Sequence, residues 1–86
     1  MIFNFPRTRF VDGGGIINQI DHVYTEITEA LEAALTPDNE HTAEELMDVI
    51  HSAETALRIM QEKHGVNLNE VRRNVERKNF DRNYYA

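Results

Sequence analysis

The chain has 86 residues, which suits one small domain over 1–86, with an N-terminal arm (1–15) and a C-terminal tail (79–86). Its 41% hydrophobic and 28% charged residues are typical of a folded globular protein and exclude a disordered one. The net charge of −6 argues against general nucleic-acid binding, and the lack of cysteine excludes disulfides and thiolate metal sites. No apolar run approaches the roughly 18 residues of a membrane span. Because Met1–Pro6 is too short for a signal peptide, we expect a cytoplasmic protein.

The first twelve residues show no hydrophobic period, and Pro6 favours an extended arm. Arg7 and Arg9 are candidates to contact an anion or an acidic neighbour; subunit packing or a solvated arm is the alternative. The run Gly13–Gly15 precedes a helix but lacks the lysine and the serine or threonine of a phosphate-binding P-loop. We therefore interpret it as a flexible hinge.

Three helices are predicted after the hinge, over Ile16–Leu35, Thr42–His64 and Val66–Phe80. The apolar stripe of the first helix consists of Ile16, Ile20, Val23, Ile27, Ala30, Leu31 and Ala34, and that of the second of Leu46, Val49, Ile50, Ala53, Leu57 and Met60.

Helix-end residues support these boundaries. Thr42 and Glu45 have capping-box spacing, Gly65 stands where a left-handed C′ residue is favoured, and Asn67 caps the third helix. No segment has the period of a strand, so an all-α fold is expected. Because so short a chain buries a limited core, we expect an antiparallel helical bundle completed by homo-oligomerisation.

Two pairs of carboxylates share one geometric offset. Taking Glu26 as zero on a helical wheel, the apolar residues centre near roughly 90° and Glu29 falls at about −60°. Taking Glu45 as zero gives the same offset for Asp48. The short loop makes the helices antiparallel neighbours, which we expect to face each other through their apolar stripes, so that groups at the same offset emerge on the same side of the pair. Glu29 and Asp48 lie at similar depths, roughly 9 and 8 Å below that loop. All four carboxylates should therefore face one small volume.

Four carboxylates around one point form a hard-oxygen site, which suits Mg²⁺ or Mn²⁺ better than zinc. The alternative is that acidic helices simply carry solvated acidic faces. The C-terminal segment, by contrast, is basic. This asymmetry suits a cation-bridged polyphosphate, or equally an acid–base contact within the fold or between subunits.

The motif Glu26-x-x-Glu29, fifteen residues, Glu45-x-x-Asp48 resembles the E-x-x-E…E-x-x-D motif of the MazG-like all-α nucleoside triphosphate pyrophosphohydrolases. The flanking residues 29–33 and 44–49 are similar as well. Lys78-Asn79-x-x-Arg82-x-Tyr84-Tyr85 resembles the ending of small phage-type members. The resemblance covers about Ile16 to Tyr85, and it departs from the family pattern at Thr25 and Met47.

The resemblance implies a Mg²⁺-dependent enzyme, with Mn²⁺ as a substitute, that cleaves (d)NTP to (d)NMP and pyrophosphate. It implies metal binding by Glu26, Glu29, Glu45 and Asp48, with one of the three glutamates also activating the attacking water. It further implies phosphate binding by Lys78, Arg82 and Asn79, and a homodimer or homotetramer. The alternative is a non-catalytic acidic helical module that binds a nucleotide or a protein.

Several polar residues have weaker functional interpretations beside a structural one. His22 and His51, each one turn from a carboxylate, are candidate partners of the metal ligands or exposed helix histidines; His41 is expected to be solvated. Asn18 and Gln19 are candidates to contact a base or ribose, or members of a polar helix face. The remaining candidates are aromatic: Tyr24, Tyr84 and Tyr85 could stack on a base or pack between subunits.

Overall fold

A computed structural model describes residues 1–86 and contains four helices and no strand, which confirms the all-α prediction. The helices are α1 (Phe10–Gly13), α2 (Ile16–Ala34), α3 (Asn39–His64) and α4 (Leu68–Asp81). None of them combines the length and the apolar content that a bilayer span requires. The sequence did not predict α1, which lies inside the segment expected to be an extended arm.

The N-terminal end of α3 differs from its prediction. The helix begins at Asn39, three residues before Thr42, because the side chain of Asp38 accepts a hydrogen bond from His41 N at 3.0 Å. Thr42 therefore lies inside the helix, where its hydroxyl donates to the Asp38 carbonyl at 3.2 Å, and the predicted capping box is wrong. The earlier start adds nearly one turn and brings His41 onto the helix.

The other helix ends lie close to their predictions. Gly65 ends α3 in the left-handed conformation with φ 66°, as its position predicted. Asn67 caps α4 and accepts a hydrogen bond from Glu70 N at 3.2 Å, and α4 itself begins at Leu68. The first predicted helix is correct to within one residue at its C-terminal end.

Helices α2 and α3 form an antiparallel pair, but not through the centres of their apolar stripes. Gln19 contacts Ser52 at one end of the pair, and Glu29 meets Glu45 nearer the loop. The buried residues of α2 are Gln19, Ala30 and Ala33, whereas several stripe residues are exposed: Ile20, Ile27 and Leu31, with Leu46 and Ile50 on α3. The two helices thus meet along the carboxylate-bearing edges of the stripes, and much apolar surface stays uncovered.

Residues Met1–Arg9 of the N-terminal arm run along α3 and lead into α1, where Val11 is fully buried. Arg7 forms ion pairs with Asp12 at 2.6 Å and Glu62 at 2.9 Å, so its neighbours are acidic, one of the two predicted alternatives. These bonds hold the pKa of both carboxyls below their usual values.

Candidate functional site

Three carboxylates converge where α2 and α3 face each other. One oxygen from each of Glu26, Glu29 and Glu45 lies within 4.8 Å of the others. Glu26 and Glu29 stand one turn apart on α2, and Glu45 reaches them from the first turns of α3. The two helices thus bring together three of the four predicted ligands.

Asp48, the fourth predicted ligand, lies beside this group rather than within it. It lines the same cavity as Glu26 and is close enough for its charge to raise the pKa of Glu26. One turn along α3 from Glu45, it extends the acidic surface toward the cavity.

The position of Glu26 disfavours the charged form of its carboxyl group. Its side chain is only 15% exposed. Burial raises its pKa, and the charges of Glu29 and Asp48 raise it further, while His22 opposes the shift. His22 Nε2 lies 3.1 Å from Glu26 Oε1. This contact places His22 against a candidate ligand instead of leaving it as an unpartnered surface histidine.

Glu45 carries an unsatisfied oxygen. Its Oε2 atom is buried and has no hydrogen-bond partner, while Oε1 lies 3.6 Å from His41 Nε2. Because a buried polar atom without a partner costs free energy, native structures rarely keep one without a reason. A cation bound between the carboxylates would satisfy it. His41 is exposed, as the sequence predicted, but it belongs to the first turn of α3 and not to the preceding turn.

His51 and Gln19 line the same cavity as Glu26 and Asp48, and each is held by its own contacts. The His51 ring stacks on Phe5 with centroids 4.6 Å apart, and its Nε2 lies 3.4 Å from the Pro6 carbonyl. Gln19 is buried and donates a hydrogen bond to the Ser52 carbonyl at 3.0 Å. The remaining candidates, Asn18, Tyr24, Tyr84 and Tyr85, are exposed.

The three predicted phosphate-binding residues lie at the far end of the chain. Lys78 and Asn79 belong to the last turn of α4, and Arg82 follows the helix with its guanidinium 4.9 Å from the Tyr84 ring. None of the three lines the cavity beside the carboxylates or forms a hydrogen bond with them. The single chain therefore does not bring the basic segment to the acidic cluster.

A pair of helices in an all-α protein that brings together carboxylates from both members offers the oxygen donors with which proteins hold divalent metals. Comparison with family models gives a match to "Phosphoribosyl-ATP pyrophosphohydrolase" over residues 4–79. The chain belongs to this family, which is part of the MazG-like nucleoside triphosphate pyrophosphohydrolase superfamily. No curated protein and no solved structure matches the chain significantly.

Family membership decides between the two functional classes that the sequence left open. The family consists of pyrophosphohydrolases, and the chain is accordingly a hydrolase that acts on phosphoric anhydride bonds of nucleotides. The match covers α2, α3 and most of α4, so it includes both carboxylate motifs. The non-catalytic binding module is therefore disfavoured.

Proposed function

We propose that the chain is a Mg²⁺-dependent nucleoside triphosphate pyrophosphohydrolase that converts (d)NTP to (d)NMP and pyrophosphate. The observation that carries the proposal is that oxygens of Glu26, Glu29 and Glu45, from two neighbouring helices, lie within 4.8 Å of one another. Three carboxylates at this separation repel one another unless a cation or protons compensate them. Polyphosphate substrates reach such sites together with divalent ions.

The donor set fits Mg²⁺, with Mn²⁺ as a substitute. Every candidate ligand is a carboxylate oxygen, the chain has no cysteine, and the buried Glu45 Oε2 lacks any other partner. Glu26, Glu29, Glu45 and Asp48 would hold the metal. When bound, the metal supplies charge neutralisation for the phosphates and a lower pKa for the attacking water.

The side chains of the cluster would assist the attack of water on the substrate. The oxygen of a water molecule forms a bond to one phosphorus of the α–β anhydride, the bond from that phosphorus to the bridging oxygen breaks, and a glutamate accepts the proton. Glu26, Glu29 and Glu45 are the candidates for that role. His22 holds the Glu26 carboxylate in place through its 3.1 Å contact.

Phosphate binding is assigned to Lys78, Asn79 and Arg82 on the strength of the C-terminal resemblance. Their positive and amide groups match phosphate oxygens in charge and hydrogen bonding. We further propose a homodimer or homotetramer, because the apolar stripes of α2 and α3 are largely uncovered in one chain.

A second candidate substrate is phosphoribosyl-ATP, which the family description names. It contains the same type of anhydride bond, so the carboxylate cluster serves either substrate by the same chemistry. The two candidate substrates differ in the part that carries the base, whereas the type of bond that is cleaved is the same.

The test is product analysis on a panel of NTPs, dNTPs and phosphoribosyl-ATP, with Mg²⁺, with Mn²⁺ and with a chelator. We expect metal-dependent release of pyrophosphate and a nucleoside monophosphate from at least one NTP or dNTP. Glu45→Gln and Asp48→Asn should each reduce turnover by at least about tenfold, because even the outer partners of metal ligands contribute about 10- to 100-fold. Glu44→Gln, an exposed neighbour, is the matched control and should retain activity. Turnover that survives both site substitutions would refute the assignment.

A further inference from the structure

The N-terminal arm is held to α3 by its backbone. The carboxylate of Glu54, a buried residue, accepts hydrogen bonds from Asn4 N at 2.9 and 3.0 Å and from Phe5 N at 2.9 Å. Arg58 donates to the Phe5 carbonyl at 2.7 Å, and its guanidinium lies 4.1 Å from the centre of the Phe3 ring. A buried carboxylate needs such partners, and charge-assisted bonds are the stronger kind. The arm is therefore fixed in one path.

Further contacts carry this path up to α1. The hydroxyls of Thr8 and Thr55 lie 3.3 Å apart, and the fully buried Val11 anchors α1. Phe10, between these two points, is 49% exposed although the residues on both sides are held. Its ring is thus presented at the surface by a fixed backbone.

Phe10 lines two small cavities, and two carboxylates line the first of them. The first, of about 190 Å³, is lined by Thr8 and Phe10 on the arm side and ends at Glu26 and Asp48. The second, of about 180 Å³, shares Phe10, Gln19 and His22 with the first and extends toward Asn18. A molecule in the first cavity would contact Glu26 of the carboxylate cluster, the adjoining Asp48, and also the Phe10 ring.

The lining chemistry suits the nucleoside half of a nucleotide better than its phosphates. Neither cavity is lined by lysine or arginine, and the nearby Arg9 guanidinium lies over the Phe10 ring, 5.5 Å from its centre. The rings of Phe10 and His22 have centroids 6.3 Å apart at 37°, which offers aromatic surface for a flat base. The Gln19 amide is oriented by its bond to the Ser52 carbonyl and offers hydrogen-bonding groups at the same place.

We propose that the arm and α1 form one wall of a nucleoside-binding site, in which the base stacks on Phe10, and that Glu54 is the positioning residue that keeps this wall in place. The inference rests on the proposed function, because it places the nucleoside next to the cluster that would bind the phosphates. It names a substrate-selecting element that lies outside both carboxylate motifs.

The first test compares a nucleotide with inorganic tripolyphosphate, which has the anhydride bonds but no base. Phe10→Ala should lower kcat/KM at least about tenfold for the best nucleotide of the panel, through KM, because base–aromatic stacking is lost. The rate with tripolyphosphate should not change. Phe10→Trp keeps an aromatic ring and should therefore retain the wild-type KM for the nucleotide. Ile2→Ala, which removes an exposed apolar side chain of the arm, is the control. Equal effects on both substrates, or none, would overturn the proposal.

The second test addresses Glu54. Glu54→Ala should release the arm and raise KM for the nucleotide in the same direction as Phe10→Ala, with kcat and the helical circular dichroism retained. Glu54→Gln keeps one acceptor oxygen for the amides of Asn4 and Phe5, so it should restore part of the loss. A fall in kcat with unchanged KM would show that Glu54 acts on the fold and not on the nucleoside site.

A binding measurement separates this inference from the proposed function. Titration of the metal-free protein with adenosine, cytidine or uridine should shift the NMR signal of the Gln19 side-chain amide, and Phe10→Ala should abolish that shift. If no nucleotide is hydrolysed but the signal shifts, the proposed function fails and the nucleoside site stands. If nucleotides are hydrolysed while no nucleoside moves the signal, only the nucleoside site fails.

Discussion

At the scale of single residues, the carboxylate cluster lowers the stability of the metal-free chain. Glu26 is mostly buried beside Glu29 and Asp48, and its pKa is raised first by that burial and then by its acidic neighbours. Because its pKa is higher in the folded than in the unfolded chain, the folded state binds the proton more tightly. The free energy of unfolding of the metal-free protein therefore falls as the pH rises from the ordinary pKa of a glutamate through the raised pKa of Glu26.

The direction of this pH dependence gives a prediction for Glu26→Gln. The variant removes the buried charge, so the metal-free protein should be more stable than the wild type at pH 8 and should lose less stability between pH 5 and pH 8. Urea unfolding with a chelator measures both quantities. Added Mg²⁺ should stabilise the wild type more than the variant. Glu32→Gln, on the exposed side of α2, is the control. A variant less stable than the wild type at pH 8 would contradict the prediction.

The site also shows how far residue-level reasoning extends. Helical spacing and a short loop were sufficient to place Glu26, Glu29 and Glu45 together, because both depend on local geometry. The roles proposed for Phe10 and Glu54 depend on where the arm docks. Contacts between residues about 50 positions apart leave no periodic signal in a sequence.

At the scale of elements, the sequence predicted three of the four helices, since each has a long apolar period and end residues of known preference. It misplaced the start of α3, because Asp38 and Thr42 are both good caps and only the folded chain selects between them. It also took the apolar stripes as the α2–α3 contact. Hydrophobic periodicity identifies a face to be covered but does not identify what covers it.

The end of α3 allows a test at this scale. Gly65 has φ 66°, where a side chain is strained, although nothing lies within 4 Å of a Cβ built there. Gly65→Ala should therefore cost about 1 kcal/mol through backbone strain alone, measured by thermal or urea unfolding. Gly13→Ala is the matched control, since Gly13 is helical and its surroundings are equally open. Equal stability losses in the two variants would show that the left-handed conformation is not the cause.

At the scale of the whole molecule, the single chain is too open for its mass. A compact monomer of its 10.0 kDa is expected to expose about 5,200 Å², whereas this chain exposes 6502 Å². Its radius of gyration is 14.6 Å, against about 12 Å for a compact domain of this length. The excess surface, about 1,300 Å², exceeds the roughly 800 Å² that one partner buries in a standard interface. Such an interface would cover the exposed apolar stripes of α2 and α3.

The surface predicts that the protein is a homo-oligomer held by the exposed stripe of α2. Ile27 and Leu31 are 49% and 66% exposed one turn apart, so Ile27→Asp with Leu31→Asp should place two charges in the interface. Light scattering after size exclusion should give at least twice the chain mass for the wild type and a smaller mass for this variant. The control is Thr28→Asp with Glu32→Asp, which has the same spacing on an exposed face of α2 and should leave the mass unchanged.

The same experiment separates assembly from folding. If the stripe variant loses its helical circular dichroism, the bundle core itself depends on the partner, and dilution of the wild type should then reduce mass and helicity together. If the variant stays helical as a monomer, α2 and α3 form a stable pair alone and the partner covers a finished surface. A wild type that is monomeric at every concentration, with all its helices formed, would refute the interface, because the apolar stripes would then be stable in water without cover.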